Sequence, residues 1–324
     1  MAWLGVDGGG TKTEALVVCD RGWGFARGEP SNHQIVGMES ALDAASSVSE
    51  AALRDHGLNW GDVEGAVFGL AGADFPEDVS RLTEGLKERL PLSSLTVVND
   101  AEIALPAGTD ADSGIAVIAG TYTNVFGLSP DGEKRQVGGL GYEWGDYGGG
   151  IDIAREVLHQ AFRSAELRGE KTVLEDLVLQ LLGLPDYASL SRALYFKEIP
   201  ETHFFVVVPF CFQAANAGDR VAQRILAKNG RALAESVVGC ARLLRMHAMP
   251  TRVVMAGSLW LGQAPHLQDA FLSHLREALP LAEAKVTEFK PVVGAVIAAS
   301  RNGGQDSAAM RDRLRQDARL TGVE

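Results

Sequence analysis

Cysteine is scarce in this chain of 324 residues, which contains only three. Cys19, Cys211 and Cys240 lie far apart and form no closely spaced motif. An odd, scattered set of this kind is typical of unpaired thiols in a reducing compartment, so we expect a cytoplasmic protein. None of the seven histidines has metal-ligand spacing with a cysteine, which argues against a structural zinc site.

Positive charge and long apolar runs are also lacking. The chain carries 30 Lys and Arg against 42 Asp and Glu, a net charge of −12, which argues against a surface for nucleic acid or anionic membrane. No apolar run reaches the roughly 18 residues that suggest a membrane span, and the first residues do not follow the pattern of a basic and apolar leader. We therefore expect neither nucleic acid nor a membrane as a partner. A phosphorylated ligand would have to be held by local backbone donors and a metal ion.

The length and the pattern of the chain predict two α/β domains. Single cores seldom grow beyond roughly 250–300 residues. Residues 1–112 show three strand patterns and then alternating helix and strand patterns, as in an α/β unit with a mixed sheet. The pattern restarts at Gly114 and continues into a longer, more helical part. We therefore assign residues 1–112 to the first domain and residues 113–300 to the second.

A shift of 110 residues aligns the openings of the two parts. It places Gly10-Thr11 on Gly120-Thr121, and Thr13 on Thr123. Two α/β units that each begin with a Gly-Thr turn indicate a duplicated fold with a cleft between the halves. Coincidence among glycine-rich turns is the alternative.

The first of these turns, Asp7-Gly8-Gly9-Gly10-Thr11-Lys12-Thr13, separates two apolar strand patterns. Its glycines let backbone N–H groups approach an anion, because no Cβ obstructs them. Asp7 by itself would repel phosphate, which suggests a divalent cation between the two. The turn is not a Walker A loop, since a strand and not a helix follows it. A tight hairpin capped by the aspartate is the alternative.

Asp100 and the glycine-rich stretch 137–150 are further candidate site features. Asp100 follows a buried strand pattern at 95–98 and should therefore lie at the edge of an α/β sheet that faces ligands. A carboxylate there could accept a proton from a hydroxyl group; capping of the helix that begins at Ala101 is the alternative. The stretch 137–150 is too rich in glycine for a packed element, and its aromatic and acidic residues suggest a loop that faces a carbohydrate.

Eight segments that cover nearly the whole chain carry a family pattern. In order, they are VDGGGTKTEALVV, SNH, GLAGAD, VVNDAEIAL, IAGTYTNVFG, GGLGYEWGDYGGG, VVMAGSLWL and KPVVGAVIAAS. This set resembles the N-acetylglucosamine kinase branch of the actin-like ATPase clan, the BadF/BadG/BcrA/BcrD-type ATPases. The resemblance implies two ribonuclease-H-like domains that close a central cleft on a nucleotide and an amino sugar. It also implies that the C-terminal helix, about 301–324, returns to the first domain.

The resemblance further implies a site for ATP and Mg²⁺. Asp7 would organise the Mg²⁺ through water, one hairpin from each domain would hold the phosphates, and the adenosine would lie beside a strand end. The implied residues are Gly9, Gly10, Thr11 and Lys12 in the first hairpin, Gly120 and Thr121 in the second, and Gly257 and Ser258 at the strand end.

For the sugar, the resemblance implies Asp100 as the general base, surrounded by groups from both domains. Asn and Asp side chains suit neighbouring hydroxyls because they offer several donor and acceptor positions. The implied residues are Asn32, His33, Thr123, Asn124, Gly139, Leu140, Gly141 and Asp146. An ordinary helix-entry loop at Asn32 and a turn at Asp146 are the alternatives.

The chain departs from the family pattern in three segments. Tyr122 and Thr123 replace the second glycine and the serine of Gly-Thr-Gly-Ser, and a bulky Tyr122 would hinder the approach of backbone to phosphate. Leu140 replaces the tryptophan of Gly-Trp-Gly. Tyr147 stands where an acid often follows Asp146.

ATP-dependent phosphorylation of N-acetylglucosamine at its 6-hydroxyl, by a homodimer, is therefore the leading expectation. The alternatives are a glucosamine or other hexose kinase, a non-catalytic sugar-binding or regulatory protein, and an ATPase that activates an acyl-CoA dehydratase. The last of these holds an iron–sulfur cluster through closely placed cysteines, whereas Cys211 and Cys240 are 29 residues apart in this chain.

Overall fold

Two five-stranded sheets form the framework of the molecule, whose computed structural model describes residues 1–305 and 308–321. The strands of the first sheet are β1 (Ala2–Gly8), β2 (Thr13–Cys19), β3 (Gly22–Gly28), β4 (Val63–Leu70) and β5 (Leu95–Asn99). They lie in the order β3-β2-β1-β4-β5. β2 is antiparallel to both β1 and β3, whereas β1, β4 and β5 run parallel.

The second sheet repeats this design. Its strands are β6 (Gly114–Ala119), β7 (Thr123–Leu128), β8 (Lys134–Gly138), β9 (Thr251–Ala256) and β10 (Ala282–Val286). The order is β10-β9-β6-β7-β8, with an antiparallel β6-β7-β8 part and a parallel β6-β9-β10 part. β2 begins at Thr13 and β7 at Thr123, so the shift of 110 residues seen in the sequence joins equivalent strands. The expected α/β class with two related halves is confirmed.

Helices cover the sheets. Those of the first part are α1 (His33–Val36), α2 (Met38–Asp55), α3 (Pro76–Arg89) and α4 (Asp100–Gly108). Those that follow are α5 (Gly150–Ala165), α6 (Leu174–Leu182), α7 (Tyr187–Tyr195), α8 (Val207–Asn216), α9 (Arg220–Leu243), α10 (His266–Ala278), α11 (Pro291–Asn302) and α12 (Ala308–Leu314). In the part of the chain that the structure describes, no helix is both long enough and apolar enough to cross a membrane.

The helix α9, of 24 residues, begins at a side-chain cap. Asp219 precedes α9, and its Oδ1 accepts the Ala222 N–H at 2.8 Å, which satisfies one of the free donors of the first turn. The buried residues of α9, which include Val221, Ile225 and Leu233, recur at helical spacing and pack into the core of the second half.

The two faces of the first sheet are covered by helices from opposite ends of the chain. One face packs on α2 and α3. The other packs on α11, where Val292 and Val296 join Leu16 and Val18 of β2 in one apolar cluster. The chain therefore returns to the first sheet at Pro291, ahead of the expected boundary at residue 300. The exact division into domains stays a prediction.

Two elements differ from the sequence-based expectations. β8 extends to Gly138, at the start of the stretch that we expected to be a loop; its charged residues Lys134 and Arg135 suit an exposed edge strand but hide the strand pattern. The C-terminal helix expected over about residues 301–324 is shorter, because α12 spans only Ala308–Leu314 and turns follow it. Asp306 lies outside the described residues.

Candidate functional site

Three carboxylates lie along one edge of the first sheet. Asp7 lies near the end of β1, Asp74 follows the end of β4, and Asp100 follows the end of β5. These strands are parallel, so their carboxyl ends share an edge. Burial, reinforced by Asp100 and Glu14, raises the pKa of Asp7 to about 8. Burial, reinforced by Asp74, raises the pKa of Asp100 to about 6.

Asp100 is the first residue of α4, and its neighbour caps the helix. Asn99 is the N-cap, and its Oδ1 accepts the Ala101 N–H at 2.9 Å. The capping role that we considered as the alternative for Asp100 therefore belongs to Asn99. Asp100 is left as an acid with a raised pKa beside the carboxylates of Asp7 and Asp74.

The first glycine hairpin joins β1 to β2 and leaves Gly10 and Thr11 exposed at its tip. The Gly9 N–H donates to the Lys12 carbonyl at 2.9 Å, which closes the turn. Lys12 pairs with Glu14 through an Nζ–Oε1 distance of 3.0 Å. Although burial opposes it, hydrogen bonds from Lys12 and Arg27 hold the pKa of Glu14 below its usual value. The cation of this hairpin is thus anchored to a buried carboxylate.

The second hairpin joins β6 to β7 and rests on the start of α5. The carbonyls of Gly120 and Thr121 accept the N–H groups of Gly150, at 2.8 Å, and Ile151, at 3.1 Å. Tyr122, the unusual residue at the tip, is 64% exposed. The expected hindrance of phosphate by Tyr122 stays a prediction.

Gly257 and Ser258 lie at the same edge of the second sheet as this hairpin. They follow the end of β9, next to the end of β6. Gly257 has a φ of +105°, and a Cβ there would overlap the carbonyl oxygen of Ala119. This position therefore requires glycine, which leaves bare backbone where the strand ends.

The first half brings Asn32 and His33 to the first hairpin. The N–H groups of Ser31 and Asn32 donate to the Gly9 carbonyl at 3.1 and 3.2 Å. Asn32 Oδ1 caps α1 by accepting the Gln34 N–H at 3.0 Å, as the alternative proposed. His33 Nε2 lies 3.4 Å from Asp78 Oδ1. Its Nδ1 is buried and has no hydrogen-bond partner among residues 1–305 and 308–321.

The second half contributes Thr123 and Asn124 at the start of β7. Thr123 Oγ1 and Asn124 Oδ1 are buried and find no hydrogen-bond partner within the described chain. Asn124 Nδ2 donates across the cleft to Asn99 Oδ1 at 3.2 Å, beside Asp100. Gly139 packs on Asn124, since a Cβ on Gly139 would lie 2.8 Å from that side chain. The structure thus groups Thr123, Asn124 and Gly139 near Asp100.

Asp146 shapes the glycine loop. Its Oδ2 accepts the N–H groups of Leu140, at 2.9 Å, and Gly141, at 2.6 Å. A turn of this kind was the alternative for Asp146. Leu140 and Gly141 are therefore held in place by their own loop.

Sequence reasoning missed Asp74 and Gln136. Asp74 Oδ1 accepts from Asn99 Nδ2 at 2.9 Å and from Gln136 Nε2 at 3.5 Å, which links the two halves. Asp74 could have been found, because it follows a buried strand just as Asp100 does. Gln136 gave no signal, since it lies on β8, whose strand pattern is hidden by charged neighbours.

Two mixed sheets of one topology, each with a glycine hairpin at a shared cleft, define a protein of the actin-like ATPase and sugar kinase fold. Sequence comparison then gives the family. The chain belongs to the BadF/BadG/BcrA/BcrD ATPase family, whose profile matches residues 4–299. Membership of this family implies the use of ATP.

Relatives with assigned functions cover nearly all of the chain. An N-acetylmuramic acid/N-acetylglucosamine kinase from Clostridium acetobutylicum is 29% identical over 91% of this chain and 97% of its own. An N-acetyl-D-glucosamine kinase from Dictyostelium discoideum is 28% identical over 92% of this chain and 97% of its own. A solved structure from Chromobacterium violaceum, provisionally named an N-acetylglucosamine kinase, superposes with a TM-score of 0.72 at 24% identity. It covers 91% of this chain and 98% of its own, and it supports the fold.

Proposed function

We propose that this protein is an ATP-dependent amino-sugar kinase that phosphorylates the 6-hydroxyl of N-acetylglucosamine. The observation that carries the proposal is the surroundings of Asp100: it lies close enough to Asp7, at the first glycine hairpin, to raise the pKa of that acid, and its neighbour Asn99 contacts Asn124 of the second half. Among the described residues, the buried Oδ1 of Asn124 has no hydrogen-bond partner. The names of the two relatives that are 28% and 29% identical support the choice of sugar.

Asp100 has the properties of a general base for this reaction. A carboxylate whose pKa is raised to about 6 is ionised at neutral pH yet more basic than an ordinary aspartate. It would accept the proton of the sugar hydroxyl as that oxygen attacks the γ-phosphorus. Phosphoryl transfer otherwise depends on positioning and on neutralising charge.

We assign the phosphates to the two hairpins. Gly9, Gly10 and Thr11 are exposed or half-exposed in the first half, as are Gly120 and Thr121 in the second, and the phosphates would lie between them. Lys12 would add a cation held in place by Glu14. Gly257 and Ser258 would lie beside the adenosine.

Mg²⁺ fits this edge of the sheet as a companion of ATP. Asp7 stands close to two further carboxylates, and this accumulation of negative charge is relieved by a divalent cation. Within the described residues, no three acidic, histidine or cysteine side chains are grouped to hold a metal. Asp7 would therefore hold the ion through water while the phosphates supply further oxygens. When bound, Mg²⁺ neutralises charge on the β- and γ-phosphates.

For the sugar we assign a set of groups around Asp100 from both halves. Thr123 Oγ1 and Asn124 Oδ1 fit the role because they are buried and unpartnered in the described structure. The other members are Asn32, His33, Gly139, Leu140, Gly141 and Asp146.

Two wider assignments follow from the chemistry of the chain. A cytoplasmic location suits an ATP-consuming enzyme whose Cys19, Cys211 and Cys240 are all buried free thiols. We also propose a homodimer, without nucleic acid or membrane as partners. An iron–sulfur role gains no support from Cys211 in α8 and Cys240 in α9, which are buried and 29 residues apart, whereas a cluster of that kind is held by closely placed cysteines.

A substrate panel tests the proposed function. Coupled detection of ADP release should show Mg²⁺-dependent turnover with N-acetylglucosamine and weaker turnover with glucosamine, glucose and N-acetylmannosamine. Turnover with a hexose alone would move the assignment to a hexose kinase. No sugar-stimulated turnover at any Mg²⁺ concentration, combined with tight binding of the sugar alone, would identify a sugar-binding protein instead.

The pH dependence of turnover should report the ionisation of Asp100. The base is active only when ionised, and its pKa is raised to about 6. We therefore expect kcat/KM for the sugar to be nearly constant above neutral pH and to fall about tenfold per pH unit below about pH 6. Initial rates with saturating ATP, in buffers of constant ionic strength, measure this profile. A rate that stays flat down to pH 4.5 would contradict the assignment.

A further inference from the structure

Asp74 holds three amide side chains from three separate elements. Its Oδ2 accepts from Gln34 Nε2 of α1 at 3.2 Å. Its Oδ1 accepts from Asn99 Nδ2, at the start of α4, at 2.9 Å and from Gln136 Nε2 of β8 at 3.5 Å. Asp74 therefore connects α1, the turn that carries Asp100 and the second sheet. It lies outside the set of residues assigned above.

A carboxylate that only accepts hydrogen bonds fixes which way each amide points. Because Asn99 donates to Asp74, its Oδ1 must face the other way. That oxygen accepts the Ala101 N–H at 2.9 Å and Asn124 Nδ2 at 3.2 Å. Asn124 in turn donates to Asn99, so its own Oδ1 faces away from Asn99. The hydrogen bonds therefore run in one direction, from Asn124 through Asn99 to Asp74.

Asn124, at one end of this series of hydrogen bonds, has a carbonyl oxygen that the described residues leave unused. Asn124 Oδ1 is buried and has no hydrogen-bond partner among the described residues, although a buried carbonyl oxygen without a partner is unfavourable. A bound ligand that donates a hydrogen bond would satisfy it. A sugar hydroxyl and the N–H of an N-acetyl group are both donors of this kind.

We infer that Asp74 is a positioning residue that orients Asn99 and, through it, Asn124, so that Asn124 presents its carbonyl oxygen to a donor group of the bound sugar. The inference rests on the proposed function, because it assumes that an amino sugar occupies this cleft. The Ala101 N–H favours the same orientation of Asn99, so the carboxylate acts by holding the Asn99 side chain in place. Without it, Asn99 loses its 2.9 Å acceptor, and the amide of Asn124 is held less firmly with its oxygen toward the ligand.

Asp74→Asn tests the inference, with Asp219→Asn as the matched control. Asp219 also receives three donors, from Ala222, Thr172 and Val173, but it caps α9 away from the cleft. We expect Asp74→Asn to raise the KM for N-acetylglucosamine about tenfold and the KM for ATP less than about twofold. Asp219→Asn should leave both within about twofold. An unchanged sugar KM, or an equal rise of both KM values, would overturn the inference.

Asn99→Ser is a second variant that preserves the helix cap. Serine caps a helix about as well as asparagine does, but its side chain is shorter and has no amide group to join Asp74 to Asn124, so the orientation of Asn124 is lost by another route. We expect the same selective rise in sugar KM even if Asp74→Asn folds poorly. A normal sugar KM in folded Asn99→Ser would contradict the proposed series.

A double-mutant cycle tests whether Asp74 acts through Asn124. Asn124→Ala removes the oxygen, so adding Asp74→Asn should raise the sugar KM by less than about twofold further. Independent, multiplying effects would overturn the inference. Calorimetry of N-acetylglucosamine binding to each variant gives a readout that needs no turnover. A wild-type protein that neither binds nor phosphorylates the sugar overturns the proposed function itself, whereas an active wild type with an equally active Asp74→Asn variant overturns only the role of Asp74.

Discussion

Asp100→Asn should lower kcat for sugar phosphorylation about 10³-fold or more while both substrates remain bound. An amide has nearly the same shape as the carboxylate but cannot accept the hydroxyl proton, and a general base contributes about 10²–10⁴-fold. Calorimetry should give sugar affinities within about threefold of the wild type. Single-turnover phosphorylation with saturating ATP and sugar measures the loss of the chemical step.

Glu102→Gln is the matched control for this variant. Glu102 lies two residues further along α4 and pairs with Lys134 on β8 at 2.6 Å. Loss of this partly exposed pair should change kcat less than about twofold. If Asp100→Asn kept more than about a tenth of wild-type turnover, Asp100 would not be the base.

Gly294→Ala should destabilise the protein, although the same substitution inside a helix usually stabilises it. Gly294 lies in α11 where this helix crosses α4, and a Cβ there would overlap the carbonyl oxygen of Ile103. It would also lie 2.8 Å from the Ala107 nitrogen, so rigid backbone of α4 would have to move. We expect a loss of about 3 kcal/mol, or a fall in Tm of about 10 °C. Thermal unfolding followed by circular dichroism measures it.

Gly239→Ala supplies the opposite case. Gly239 lies inside α9, and apart from the backbone of its own helix, a Cβ there would meet no atom of the described residues within 4 Å. Alanine should stabilise this helix by about 0.5–1 kcal/mol, because it restricts the unfolded chain. The two variants make the same chemical change, so opposite signs would isolate the contact between α11 and α4. A Tm of Gly294→Ala at or above the wild-type value would contradict the close packing.

The sequence predicted the elements whose signals are local. Apolar runs bounded by glycine gave β1, β2 and the hairpin between them, and the repeat at 110 residues gave their counterparts in the second half. Asp100 was identified because a polar residue after a buried strand must lie at a sheet edge. The family pattern then supplied roles that spacing alone leaves open.

The sequence did not predict how side chains from distant segments are oriented toward one another. Asp74, Asn99 and Gln136 are 25 and 37 residues apart along the chain, and only the pairing of strands brings them together. The exposure of Tyr122 depends on a single torsional choice at a hairpin tip, which the residue type does not specify. Edge strands such as β8 carry charged residues that mask their alternation.

The position of α11 constrains the order in which the protein can mature during synthesis. The five strands of the first sheet are complete once Asn99 has been made, but the helix that covers one face of that sheet begins at Pro291. Leu16 and Val18 on that face must therefore wait for almost the whole chain to emerge from the ribosome. The half that is translated first is thus the half that is completed last, and a chain that stops short of Pro291 leaves an apolar sheet face open to aggregation.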